Sequence, residues 1–131
     1  MTKIKIIRNK ENNQKNKTKI IDTNLKVSYR KNLIQKALGY MFKAKKDKIM
    51  IFPFNRKQII SIHTLFVKHT LYCIWLDEDK VIETKLLKPF KFYRPKKKAN
   101  KLIEIPKQEY LDINKKVSIE KNDYLIIQNK A

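Results

Sequence analysis

Two histidines and a few carboxylates are the side chains in this chain that could carry chemistry. His63 and His69 are the only imidazoles among 131 residues. His63 facing Glu104 or Asp123 would make a carboxylate-oriented ring able to move a proton near neutral pH. Set against that, a histidine midway along an apolar strand is more often a buried, hydrogen-bonded core residue, and this is the preferred reading. If both histidines lie on one strand they share a face but stand about 20 Å apart, too far to hold one metal. Asp77, Glu78 and Asp79 could ligate a hard cation. With no glycine and no following Glu at loop spacing, they read as an acidic turn instead. Cys73, between Tyr72 and Ile74, reads as a small buried hydrophobe and not a catalytic thiol, which wants an electropositive and partly exposed niche. There is no Gly-rich phosphate loop, C-x-x-C, H-E-x-x-H or nucleophile elbow, so neither a cofactor nor a metal site is expected.

A formal net charge of +20 could be an electrostatic footprint for nucleic acid or an anionic membrane surface. Lys45, Lys46, Lys96, Lys97 and Lys98, with Lys43, Arg94 and the ring of Tyr93, are the candidate contacts, since single strands are held by a basic groove with aromatic platforms. Arg8, Arg30, Arg56 and Arg94 are the only arginines among 32 basic residues, however, and Gly39 is the sole glycine. Arginine is the usual choice for gripping phosphate. The lysines are scattered and Ile and Asn are heavily used, so composition is the preferred explanation, with weak non-specific polyanion binding as its consequence.

The elements that must position these residues centre on Ile59 to Glu83. Ile60 to Val67 has no uniformly polar face, with Ile60, Ile62, Thr64 and Phe66 on one side and Ser61, His63, Leu65 and Val67 on the other, and fits a strand covered on both sides. Leu71 to Leu76 is apolar throughout, too short for an ordinary helix, and reads as a central strand turning at Asp77 to Lys80 into a partner over Val81 to Leu86. Upstream, Lys3 to Ile7 alternates as an opening strand with Ile4 and Ile6 inward, Asn9 to Lys19 is a polar mobile loop or hairpin connection, and Ile20-Ile21 is a short second strand. Leu33, Ile34, Ala37, Leu38 and Met41 fall at helical spacing and predict one amphipathic helix near residues 30–38, ended at Gly39. Lys48 to Phe54 is a strand with Pro53 at its end or on an unpaired edge, and Asn55-Arg56-Lys57 a turn. Lys88 to Pro95 is an extended connection laying Phe90, Phe92 and Tyr93 on the surface. Lys101 to Ile105 is a strand stopped by Pro106. Gln108 to Leu111 makes a helical turn, and Val117 to Ile119 pairs with Tyr124 to Ile127.

This pattern defines a mainly β protein, a small antiparallel sandwich or barrel with one short helix. Residues 1–17 are expected to form a strand and a mobile polar segment, and 18–131 a single domain. One cysteine allows no internal disulfide, and the apolar run at the start breaks at Arg8 before a signal peptide is made. No run approaches the length of a membrane span. A cytoplasmic protein is expected, its oligomeric state open.

Seven segments in order also carry a family resemblance. They are LGYMFK (Leu38 to Lys43), IMIFPF (Ile49 to Phe54), SIHTLFV (Ser61 to Val67), IWLDEDKVIE (Ile74 to Glu83), LKPF (Leu87 to Phe90), YRPKKKANKLIEIP (Tyr93 to Pro106) and NDYLII (Asn122 to Ile127). Together, over about residues 20–128, the chain resembles the archaeal branch of the domain-of-unknown-function 192 family, DUF192. The resemblance implies a jelly-roll-like sandwich and no established activity, with His63, Gly39, Asp77, Pro89, Glu104 and Asp123 as matching positions. The family's Pro, apolar residue and Asp are replaced here by Thr70-Leu71-Tyr72, and its late Gly by Asn122, so a site built on that first Asp would be lost. The functional expectation is a non-catalytic ligand-binding or accessory module, its unknown ligand meeting His63, Phe90, Tyr93 and Arg94. The alternatives are a nucleic-acid-binding protein and a small enzyme using His63 as acid or base.

Overall fold

The computed structural model of the chain describes residues 2–8, 17–23, 25–29, 34–36, 39–41, 48–65 and 67–129, with the backbone alone at 34–36, 39–41 and 129. Its strands are β1 (Thr2–Arg8), β2 (Lys17–Thr23), β3 (Lys26–Tyr29), β4 (Ile34–Lys36), β5 (Gly39–Met41), β6 (Lys48–Gln58), β7 (Ile62–His63), β8 (Leu71–Asp77), β9 (Lys80–Leu87), β10 (Phe92–Tyr93), β11 (Ala99–Pro106) and β12 (Tyr124–Asn129), and the helix α1 (Lys107–Lys116) lies between β11 and β12. An eight-stranded sheet runs β2-β1-β12-β9-β8-β11-β6-β3, and a four-stranded sheet runs β10-β7-β5-β4. Pairing is antiparallel except where β3 meets β6 and β5 meets β7. The large sheet is mixed and is not a closed barrel.

Every residue from Leu71 to Leu76 is buried, because β8 lies between β9 and β11 and has an apolar layer on each face. Period-two alternation divides its side chains. Tyr72, Ile74 and Leu76 join Ile4, Ile6, Ile49, Ile103 and Leu125 in one core. Leu71, Cys73 and Trp75 join Phe52, Ile60, Ile62 and Leu102 in the other, under the small sheet. β12 joins β9 only through Tyr124 opposite Lys80. β1, β2 and β12 bring Ile4, Ile6, Ile21, Leu125 and Ile127 onto the first core, and α1 adds Ile113.

The hairpin turn expected after Leu76 is present, with Glu78 at φ 56°. Asn100 holds it, its Oδ1 accepting from the Glu78 N–H at 2.8 Å and its Nδ2 donating to Oε1 at 3.0 Å. Pro53 sits inside β6 opposite Lys101, where the register with β11 shifts, and the described pairing of β3 with β6 ends at Ile51.

Four local expectations are corrected. The helix expected near 30–38 is absent at its described residues, where 34–36 and 39–41 form an antiparallel hairpin and β5 pairs with β7; 30–33 and 37–38 lie outside the described residues. Gly39 weakens a helix, and a short apolar pattern yields readily to strand pairing. Asn55-Arg56-Lys57 continues β6 and makes no turn. Val117 to Ile119 is not a strand. The helical turn at Gln108 is instead the ten-residue α1, which begins after Pro106 and carries Glu109 in its first turn and Lys115 and Lys116 in its last, charges that suit the helix dipole. Only Ile113 on it is fully buried, which is why its apolar signal was faint.

Trp75 is fully buried, and its Nε1 donates to the Ile60 carbonyl at 2.9 Å. Trp75→Phe should therefore cost roughly 2 to 4 kcal/mol, from a cavity plus an orphaned carbonyl, read as a lower urea midpoint at unchanged slope.

Candidate functional site

The three residues singled out for proton transfer are placed as follows. Asp123 follows Asn122, whose φ of 75° explains how Asn can stand where the family has glycine, since Asn tolerates the left-handed region. Its buried carboxylate accepts from Arg8 Nε at 2.9 Å and Nη2 at 3.0 Å, and from the Glu120 N–H at 2.9 Å. The Asp123 hydrogen bond, followed by its charge after the opposing effect of burial, raises the Arg8 pKa. Glu104, on β11, lies between Cys73 and Met50 on the flanking strands and is 2% exposed. Its Oε2 has no hydrogen-bond partner among the described residues, and burial pushes its carboxyl up to about 8. Burial first, and the nearby Glu104 second, hold the Cys73 thiol well above its ordinary range, the setting of an inert core cysteine.

His63 is 5% exposed, with Nδ1 unpartnered among the described residues. No hydrogen bond joins it to Glu104 or Asp123. β7 is two residues long, so His63 and His69 do not share a strand. His69 instead lines a cleft of about 550 Å³ with Thr70, Pro106 and Lys107 at the start of α1. No group of three or more His, Cys, Asp or Glu side chains among the described residues could hold a metal. The acidic corner is occupied by protein: Lys57 pairs with Asp77 at 2.9 Å and Lys101 with Asp79 at 3.1 Å.

The residue that sequence reading passed over is Thr64, next to His63 and 2% exposed. Its hydroxyl donates to the Lys88 carbonyl at 2.7 Å and accepts from the Lys91 N–H at 2.8 Å. It thus occupies the place of the bond that would close a turn over Lys88-Pro89-Phe90-Lys91. Its backbone adds two bonds, accepting from Phe90 N–H at 2.8 Å and donating to Lys91 O at 2.7 Å. Held this way, Phe90 takes φ 61°, a strained region for a bulky residue, and its ring is 70% exposed. Phe92, opposite His63 in the β10–β7 pair, is 49% exposed. These two rings therefore point to solvent where sequence reading laid them on the protein.

Tyr93 does lie down. Its ring sits 5.4 Å from that of Trp75 with Lys85 Nζ 5.4 Å from its centroid, and its hydroxyl donates to Glu83. That hydrogen bond, then burial and the Glu83 charge, push the phenol up to about 12. Glu83 also accepts from the Lys96 N–H at 3.0 Å. Tyr93, Lys96, Lys97 and Lys121 line a second cleft, of about 350 Å³, with Ile82, Glu83 and Thr84. Arg94 and Lys98 are exposed nearby in sequence, while Lys43, Lys45 and Lys46 lie outside the described residues. Nothing local in the sequence marks Thr64 or Glu83, whose partners lie 24 and 10 residues away, or Lys121, which meets the second cleft only in the fold.

Fold and sites together define a small, mainly β protein with one described helix, polar groups sealed in its cores and aromatic and basic side chains on its surface. Residues 12–125 match the DUF192 family model, described as "Uncharacterized ACR", and the chain belongs to that family. It is similar to a UPF0127 protein of Pyrococcus furiosus, 32% identical over 112 residues that cover 84% of this chain and 93% of that one. A UPF0127 protein of Pyrococcus abyssi is 33% identical over 93 residues, 70% of this chain and 80% of the relative. The fold is shared with a crystal structure described as a putative transcription regulator from Sinorhizobium meliloti, TM-score 0.57 at 10% identity, covering 95% of this chain and 92% of that one. A protein of unknown function from Novosphingobium aromaticivorans aligns at TM-score 0.60 and 12% identity, over 95% and 83% of the two chains. No helix among the described residues is long and apolar enough to cross a membrane.

The raised Glu104 carboxyl makes stability pH-dependent in a definite direction. Below its ordinary value of about 4.5 it is protonated folded and unfolded; between there and about 8 the folded state keeps a proton that the unfolded state releases, so stability falls as pH rises. The loss, at about 1.4 kcal/mol per pH unit, is on the order of 5 kcal/mol and complete above that window. Glu104→Gln should flatten this slope and exceed the parent in urea midpoint at pH 9 while matching it near pH 5.

Proposed function

We propose that this chain is a cytoplasmic, non-catalytic binding module whose ligand meets the turn 88–91 and the rings of Phe90 and Phe92, in front of the strand that carries His63. The observation that carries the proposal is the Thr64 clamp: four hydrogen bonds from one buried residue hold a phenylalanine in a backbone region it disfavours, with its ring outside. Strain of this kind persists where surrounding structure imposes it, and it gathers at binding sites. A ring held in advance loses little conformational entropy on binding. His63 is sealed behind this surface, which favours a packing role for it over proton transfer. The buried, unpaired Cys73 suits a reducing compartment.

A second reading, binding of single-stranded nucleic acid, is favoured by the acid-free stretch Lys85 to Lys98. Seven of its residues are basic, and all seven are exposed alongside Phe90 and Phe92. Charge alone would give oligo(dT) binding that fades as salt approaches about 150 mM. Retention at that salt, lost in Phe92→Ser, would establish stacking and with it the nucleic-acid reading.

The primary proposal is tested by Phe90→Gly, which removes the ring and relieves the positive φ. If the ring is kept for binding, the variant gains stability by about 1 kcal/mol and its urea midpoint rises. A fall in midpoint would make the ring structural and end the proposal.

A further inference from the structure

The outer edge of β9 is, among the described residues, an unpaired strand edge in the interior of the large sheet's strand order. β9 is paired with β8 along its whole length, from Lys80 opposite Asp77 to Leu87 opposite Leu71. On its other side it meets β12 only at Lys80, and the last backbone bond there runs from the Asn122 N–H to the Val81 carbonyl. From Glu83 to Leu87 no described strand lies beside it, an open edge of about 17 Å at the usual rise per residue. The smaller cleft follows this edge. Three consecutive β9 residues line it, Ile82, Glu83 and Thr84, whereas a pocket on one face would be lined by alternate residues.

We propose that this edge docks an extended acidic polypeptide segment, which adds a strand to β9. The inference goes beyond the Phe90 turn and stands on separate residues. Lys96, Lys97 and Lys121 border the cleft. The one carboxylate lining it, Glu83, already accepts hydrogen bonds from the Tyr93 hydroxyl and the Lys96 N–H. Lys85 and Leu86 are exposed further along the strand, Leu86 at 42%, so alternate side chains of a guest find charge and apolar surface. An open edge offers N–H donors and carbonyl acceptors in alternation, which another polypeptide matches in full. A phosphodiester strand can accept from the N–H groups but has no regular donors for the carbonyls. A second copy of this chain would bring the same lysines against these, a like-charge arrangement that deters edge-to-edge pairing.

The test uses the full chain and a fluorescein-labelled peptide of ten residues alternating Glu and Val, followed by anisotropy near physiological salt. Binding is expected, and it should weaken roughly tenfold or more in Lys97→Glu/Lys121→Glu, both exposed positions where circular dichroism checks the fold. The same peptide N-methylated at alternate amides along its strand-pairing edge should also lose roughly tenfold, because methylation removes donors and leaves charge intact. A Lys-Val counterpart should not bind. Phe90→Gly should bind the peptide like the parent, so loss of the turn proposal leaves this one standing and the reverse. Absence of peptide binding, equal binding of the methylated peptide, or displacement of the peptide by an equal concentration of oligo(dT) at that salt would each overturn it.

Discussion

Two-sided burial of β8 is the constraint on which the rest of this structure depends. A strand with six consecutive buried side chains has no solvent face, so two apolar layers must be assembled around it. The chain builds one from isoleucine-rich strands and α1, and the other from the small sheet that contains Ile62. Trp75 fixes the spacing on the second side, since its indole N–H reaches the Ile60 carbonyl and ties the central strand to the segment entering β7.

Placing β7 over this core has a consequence for the surface. Thr64 follows directly and is drawn under the 88–91 turn, where its hydroxyl replaces the turn's own hydrogen bond. Burial of a small polar group is tolerable only when its bonds are made, and here the partners are the backbone of that turn. The same chain segment then descends through Tyr93 onto Trp75 and Glu83. One face of β10 is thus anchored and the other exposed, which separates the ring that packs from the rings that do not.

At the opposite end, Arg8 and Asp123 join strands 115 residues apart in sequence. Arg8 is partly open to solvent while Asp123 is sealed, so the pair holds the folded-over wing through a charge that cannot be left unpartnered. Thr23 on β2 bonding Glu109 on α1 closes the same wing against the helix. Because the wing leaves β9 after one residue pair, it creates both the first core and the open edge.

The sequence by itself determined the central strand, its hairpin and the inward isoleucines of β1, because period-two burial and turn chemistry are written in adjacent residues. It also marked the mainly β class and, through seven ordered segments, the family. It could not separate a short helix from paired strands at residues 34–36 and 39–41, where a few apolar residues satisfy either spacing and pairing with β7 decides. It could not find α1 in full, since that helix depends on Pro106, end charges and a single buried isoleucine. Sequence placed His63 on a largely apolar strand face, but only tertiary structure could assign the surroundings of His63, Glu104 and Asp123. Asp123 goes to Arg8, Glu104 is left among hydrophobic neighbours, and His63 is buried opposite Phe92. Thr64, the residue that organises the exposed aromatic turn, was invisible in sequence because its chemistry lies entirely in contacts with a segment more than twenty residues away.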